Sequence, residues 1–246
     1  MALKLLFLLL AAIISLTFAQ DDQKRSWVVL ETDNIQTASQ SDGLPSNNSI
    51  GYAPSATDAA NFINHCTQRT LTNGKSFEGG SCNGIVMGDI PAETNMISTI
   101  ITYPFQNQLF TANIPFFVRF RTANLAAGSV TNPNFTLYSA PQTLDDGKVV
   151  GHVHVTIQQL FGFSEGMVEG QGAHITPPDP TKVAFFKTIF GKGDGEGGFS
   201  LQVRGGLPVG YYRVCTIVAA SNHQPVIMPV VYRGAQDDCQ RFRVGY

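Results

Sequence analysis

Two histidines separated by one residue, in GHVHVTIQ from Gly151 to Gln158, carry the sharpest chemical signal in the chain. On an extended strand alternate side chains share a face, so His152, His154, Thr156 and Gln158 take one side and Val153, Val155 and Ile157 the other. Two imidazoles on one face, two residues apart, are spaced to chelate an ion, and neutral imidazole nitrogen suits copper or zinc. A third ring is available from His223 in the SNHQP segment, where Asn222 and Gln224 add amides. The candidate metal or ligand site is therefore His152, His154 and His223, with Thr156, Gln158, Asn222 and Gln224 as its supporting polar face. The plain alternative is a polar sheet face bonded to water and neighbouring loops, since His-x-His is a short motif.

Other chemistries find less support. A histidine brace of the kind used by copper polysaccharide oxygenases needs histidine as the mature N-terminal residue, and neither Gln20 nor Ser26 supplies that ring. GKGDGEGG, Gly191 to Gly198, lacks the second Gly-Lys-Ser/Thr element of a nucleotide loop and reads as a connection. Asp194 and Glu196 within it have no ligand ladder for calcium. Asp145-Asp146 and Asp237-Asp238 sit beside turn residues and read as solvated carboxylates. No Gly-x-Ser-x-Gly elbow is present, and no catalytic residue is assigned.

The elements that must position the histidines follow from periodicity. In NIPFFVRFRT, Ile114, Phe116, Val118 and Phe120 share one face and Phe117, Arg119 and Arg121 the other, the alternation of a half-buried strand. Strands are expected from Ile97 onward and at Val149–Gln158, Phe199–Arg204, Tyr211–Ala219, Val226–Tyr232 and Arg241–Val244. Asp146-Gly147, Gly205-Gly206 and Arg233-Gly234 supply turns between them. Two short helices are expected. One follows a capping box at Ser55-x-x-Asp58 with Ala59, Phe62, Ile63 and Cys66 on its stripe. The other starts at Asp179-Pro180, carries Val183, Phe186 and Phe190 on one face, and stops at Gly191. The fold class is mainly β, an immunoglobulin-like antiparallel β-sandwich with two short helices.

Residues 1–19 have the layout of a secretory signal peptide, with Lys4, an apolar run from Leu5 to Leu16 and a small residue, Ala19, before the cleavage point. That run is too short to span a bilayer, so no transmembrane anchor is expected. Residues 20–54 form an extended polar lead-in with a trimming site after Arg25, and 55–246 a single domain. Asn47 and Asn134 are sequons that predict a glycoprotein. Cys66, Cys82, Cys215 and Cys239 are an even set, and in an oxidising compartment two disulfides are the default. Three connectivities are open, of which two are long-range, and a long-range pairing is preferred. The 16 basic against 18 acidic residues leave a formal charge of -2, with no surplus to neutralise phosphates, so nucleic acid is not an expected partner.

NFINHC, GGSCNGIVMGDIPAETNMIST, VVGHVHVTIQ, GLPVGYYRVCT and SNHQPVIMPVVYRGAQDDC, in this order between about Asn61 and Val244, resemble a family of mostly uncharacterised fungal secreted four-cysteine proteins. Some of these carry a ribosomal-protein label that conflicts with the signal peptide and the charge. The resemblance implies a secreted, extracellular or cell-wall fungal protein and lends no catalytic residues. The reading is a non-enzymatic binding or structural protein of the cell wall or host interface, with wall polysaccharide or a host extracellular component as partner. A copper- or zinc-dependent enzyme acting on wall polysaccharide is the alternative.

Overall fold

A computed structural model of the chain describes residues 30–41, 57–75, 77–78, 82–138, 140–161 and 177–246. The expected signal peptide at 1–19, the expected trimming site at Lys24-Arg25, the Asn47 sequon and Ser55 lie outside the described residues. Two compact units are distinguished, Met1–Gln68 and Arg69–Tyr246.

In the first unit the helix expected up to Cys66 is replaced by consecutive turns. The amides of Ile63, His65 and Thr67 each donate three residues back, to Ala60, Phe62 and Asn64. Asn61 and Phe62 carry φ of 51° and 59°, which no right-handed helix can continue through. The cap chemistry is present but starts a turn: Asp58 Oδ1 accepts from the amides of Ala60 and Phe62 at 2.6 and 3.0 Å.

The regular structure of the second unit is almost entirely β. Its strands are β1 Ser98–Tyr103, β2 Leu109–Thr111, β3 Phe116–Ala123, β4 Leu125–Ala127, β5 Leu144–Asp145, β6 Lys148–Phe161, β7 Phe185–Ile189, β8 Gly198–Val203, β9 Gly210–Ala220 and β10 Cys239–Gly245. Strands β1, β3 and β8 make one sheet, and β2-β10-β9-β6-β4 the other, with β5 and β7 also on β6. In β3 the buried positions are Phe116, Val118, Phe120 and Thr122, as its alternation requires. The inner faces meet in one core: Ile101, Val118, Phe120, Leu201 and Val203 from the smaller sheet, Val153, Val155, Ile157, Val214, Val218 and Phe242 from the larger. No helix among the described residues is long and apolar enough to cross a membrane.

Several expectations are corrected here. The sheets are not wholly antiparallel, because β2 joins β10, and β4 joins β6, in parallel. The segment read as a second helix is edge strand β7, antiparallel to β6. Asp179 does cap, accepting from the amide and hydroxyl of Thr181 at 2.9 and 2.8 Å, but the chain then extends. The dense β-branched and aromatic sequence VAFFKTIF meets an open edge of β6, and tertiary pairing outweighs the helical spacing. The α-helix described is one turn, α1 Pro133–Thr136, capped by the Asn132 side chain. Val226–Tyr232 is irregular, broken by Pro229, which cannot donate to a ladder, and Tyr232 is fully exposed.

The preferred long-range disulfide is also overturned. Cys215 and Cys239 face each other across β9 and β10, with Cα atoms 4.1 Å apart, and are bonded. Cys66 and Cys82 are disulfide-bonded too, and no cysteine is free. Adjacent antiparallel strands bring the nearer partner within reach first. Nor are Asp237 and Asp238 solvated turn carboxylates: Asp237 Oδ1 accepts from the Val218 amide at 2.8 Å, and Asp238 Oδ2 from the Ile101 amide at 2.8 Å.

Candidate metal centre

Strand β6 is the spine of the larger sheet, flanked by β5 and β9 along one edge and by β4 and β7 along the other. Its polar face is covered by the segment that follows β4 and the turn that follows β9. His152 is fully buried and His154 is 9% exposed. Gly151 makes the approach to β9 close enough, since a Cβ there would run into the carbonyl oxygen of Ala219. Its own carbonyl accepts from the amides of Gly128 and Ser129 at 3.0 and 3.1 Å, which folds the segment after β4 over His152.

His223 arrives from the turn after β9. Its amide donates to Ala220 at 2.9 Å and its φ is 72°, in the left-handed region that a non-glycine residue occupies at a cost of about 1–3 kcal/mol. The three rings then converge. His152 Nε2 lies 3.0 Å from His154 Nε2 and 3.2 Å from His223 Nδ1, and the three facing nitrogens are all within 4.8 Å of one another.

What the outer nitrogens touch fixes the tautomers of two of the rings. His152 Nδ1 donates to the Ser129 carbonyl at 2.9 Å, and His223 Nε2 to the Thr131 carbonyl at 2.7 Å. A carbonyl can only accept, so in the neutral rings His152 Nε2 and His223 Nδ1 are bare lone pairs aimed at each other. His154 Nδ1 lies 3.0 Å from Thr188 Oγ1, which completes the same pattern when the hydroxyl accepts. Tying the second ring nitrogen to a carbonyl or hydroxyl is how metal-binding histidines are oriented. Burial holds the His154 pKa down to about 4, helped by the neighbouring His152 and His223. Burial lowers His152 as well, against the opposing pull of the Ser129 carbonyl, and His223 adds to the lowering. Imidazole nitrogens facing one another at these separations could share a cation, and the donor set fits copper or zinc.

The supporting residues divide. Asn222 is buried beside His223, and its carbonyl accepts from the Tyr138 amide at 2.9 Å. Gln224 turns elsewhere: its Nε2 donates to the Ala140 carbonyl at 2.7 Å, and it lines an apolar groove with Met87, Tyr138 and Ile227. Gln158 is a structural clamp, donating to the Asp179 and Lys182 carbonyls at 3.1 and 3.3 Å and accepting from Arg213 Nη2 at 2.7 Å. Thr156 is buried two positions beyond His154, opposite Phe186. Sequence reasoning missed Ser129, Thr131 and Thr188. Two act through backbone carbonyls, which leave no trace in residue type, and Thr188 lay in the segment read as helix. It also missed Phe186, half exposed and stacked on His154 with centroids 5.2 Å apart.

Residues 99–245 match the family described as the CLU5d N-terminal domain, a span that takes in nearly every strand above and all three histidines. The chain belongs to that family. Pathogenicity cluster 5 protein d of Colletotrichum graminicola (strain M1.001 / M2 / FGSC 10212) is 50% identical over 220 residues, which is 88% of this chain and 43% of the relative. The chain thus spans less than half the length of that family relative, whose fungal source agrees with the resemblance drawn from the sequence.

Proposed function

We propose that this chain is an extracellular fungal β-domain that binds a transition metal, copper or zinc, through His152, His154 and His223, in a binding rather than a catalytic capacity. The observation that carries the reading is the convergence of three imidazole nitrogens whose opposite nitrogens are tied to Ser129, Thr188 and Thr131. Secretion is supported by the disulfides, which persist in oxidising compartments. The word pathogenicity in the name of the relative supports a place at the interface between fungus and host, and wall polysaccharide or a host extracellular component is the partner proposed for it. An immunoglobulin-like topology is supported by the Tyr212 hydroxyl, which donates to the Pro208 carbonyl at 2.9 Å in the manner of a tyrosine corner. Against it, the Cys215–Cys239 bond lies within a sheet, where immunoglobulin domains bond between sheets.

Calorimetric titration with copper(II) and zinc(II) tests the reading. One equivalent bound by the parent protein, and none by His154→Ala at the same concentrations, is expected. Equal binding by both proteins would remove the site. Incubation with chitin, β-glucan and plant cell walls separates the capacities: retention without soluble sugars accords with binding, and time-dependent release of oligosaccharides would reassign the domain as an enzyme.

A further inference from the structure

We propose that the cluster holds copper(II) at three corners of a square plane, His152 Nε2 at the middle corner, rather than zinc(II) in a tetrahedron. This rests on reading the cluster as a metal centre and adds the identity and coordination of the ion.

Three nitrogens at 2.0–2.1 Å from one tetrahedral ion must be evenly spaced, about 3.3–3.4 Å apart in every pair. On a square plane two pairs are adjacent, at about 2.9 Å, and the third lies across the metal at about 4.1 Å. The observed set has two short separations, both from His152 Nε2, at 3.0 and 3.2 Å. The rings show which pair is the wide one: the His154 and His223 centroids are 5.7 Å apart, against 4.6 and 4.7 Å for the pairs that include His152. His154 and His223 are also nearly parallel, at 16°, while His152 stands at 86° and 71° to them. Two short separations from His152 Nε2 and a wider His154–His223 ring pair are the pattern of three corners of a square.

The chemistry of the donors points the same way. All three donors are imidazole nitrogens, which disfavours the hard cations calcium and magnesium. All four cysteines are in disulfides, so no thiolate is available to close a structural zinc site. Square-planar or tetragonal nitrogen donors are diagnostic of copper(II) or nickel(II), and copper(II) stands highest in the divalent affinity order. The fourth corner falls opposite His152, on the side away from the most deeply buried ring.

Electron paramagnetic resonance of the full chain, stripped of metal and loaded with one equivalent of copper(II), reads this directly. An axial spectrum with superhyperfine splitting from three nitrogens is expected, retained against a tenfold excess of zinc. In His223→Asn the count should fall to two nitrogens and copper affinity by more than about a hundredfold, beyond what loss of an outer-sphere partner costs. Asparagine tolerates the left-handed backbone at 223, so this variant keeps the turn. Cobalt(II) gives a second readout that needs no variant, because its visible absorption is intense in a tetrahedral site and weak otherwise; a weak band is expected. If zinc and cobalt bind and His154→Ala abolishes them, but the cobalt band is intense and copper shows no three-nitrogen square, the inference fails while the metal-centre reading stands. If no metal binds the parent protein, both fall.

Discussion

Thr188 stands outside the three facing nitrogens, yet its hydroxyl lies 3.0 Å from His154 Nδ1 and, when it accepts from that nitrogen, leaves His154 Nε2 bare toward the cluster. Thr188→Val keeps a β-branched residue on β7 and removes the oxygen, so the strand should survive and the metal affinity should fall about ten- to a hundredfold. Calorimetry beside a thermal melt checks this, and an unchanged affinity would mean the hydroxyl is incidental. Asp237 is a separate residue-scale case, bonded to the Val218 amide on β9. Burial raises its pKa, against the opposing Val218 amide and Thr216 hydroxyl. The folded carboxyl therefore holds its proton to higher pH than the unfolded one. Its contribution to stability is complete below the unfolded value of about 3.9 and is lost as pH rises through the folded value. Asp237→Asn cannot ionise, so it should gain on the parent between pH 3.5 and pH 7 in urea unfolding. A constant difference across that range would contradict the assignment.

Among the elements, β6 and β9 carry the arrangement, and Gly151 is where they come closest. Adding a methyl in Gly151→Ala forces a Cβ into the Ala219 carbonyl and disturbs the carbonyl that holds Gly128 and Ser129. Overpacking of this kind costs about 1–3 kcal/mol, and here it should also weaken metal binding, because Ser129 orients His152. Loss of stability with full metal affinity would show that the segment can be held some other way. The same elements show what the sequence could reveal. β3, β6, β8 and β9 were legible because a half-buried strand writes its burial as a period of two, and the shared face of His152 and His154 came with it. The pattern failed at β7, where Val183, Phe186 and Phe190 fall at helical spacing by coincidence and only the edge of β6 decides. It failed again near Cys66, where a real cap at Asp58 starts turns instead of a helix. The approach of His223 to β6 was legible only as a matching composition, since a turn with a left-handed residue and two backbone carbonyls leave no signature in residue types.

At the scale of the whole second unit, the three imidazoles belong to segments far apart in sequence, β6 and the turn after β9, and their outer partners bring in residues 129–131 and β7. One ion bound there would add a common anchor to four segments that already meet through strand pairing and several hydrogen bonds. Because the unfolded chain does not present the three nitrogens together, binding acts almost wholly on the folded state, and stability rises by about 2.7 kcal/mol at a free ion concentration a hundred times Kd. For a unit of this size each kcal/mol moves Tm by about 2–4 °C, so copper(II) should raise Tm by about 5–11 °C, and a chelator should return it. Hydrogen exchange provides the spatial check. Protection should increase at the amides of 129–131, 185–189 and 221–224, and leave the β1–β3–β8 sheet unaltered, since that sheet holds none of the donors. A rise in Tm with protection spread evenly over both sheets would point to adsorption of ions elsewhere on the protein, and no rise at all would mean that the three rings do not share a metal.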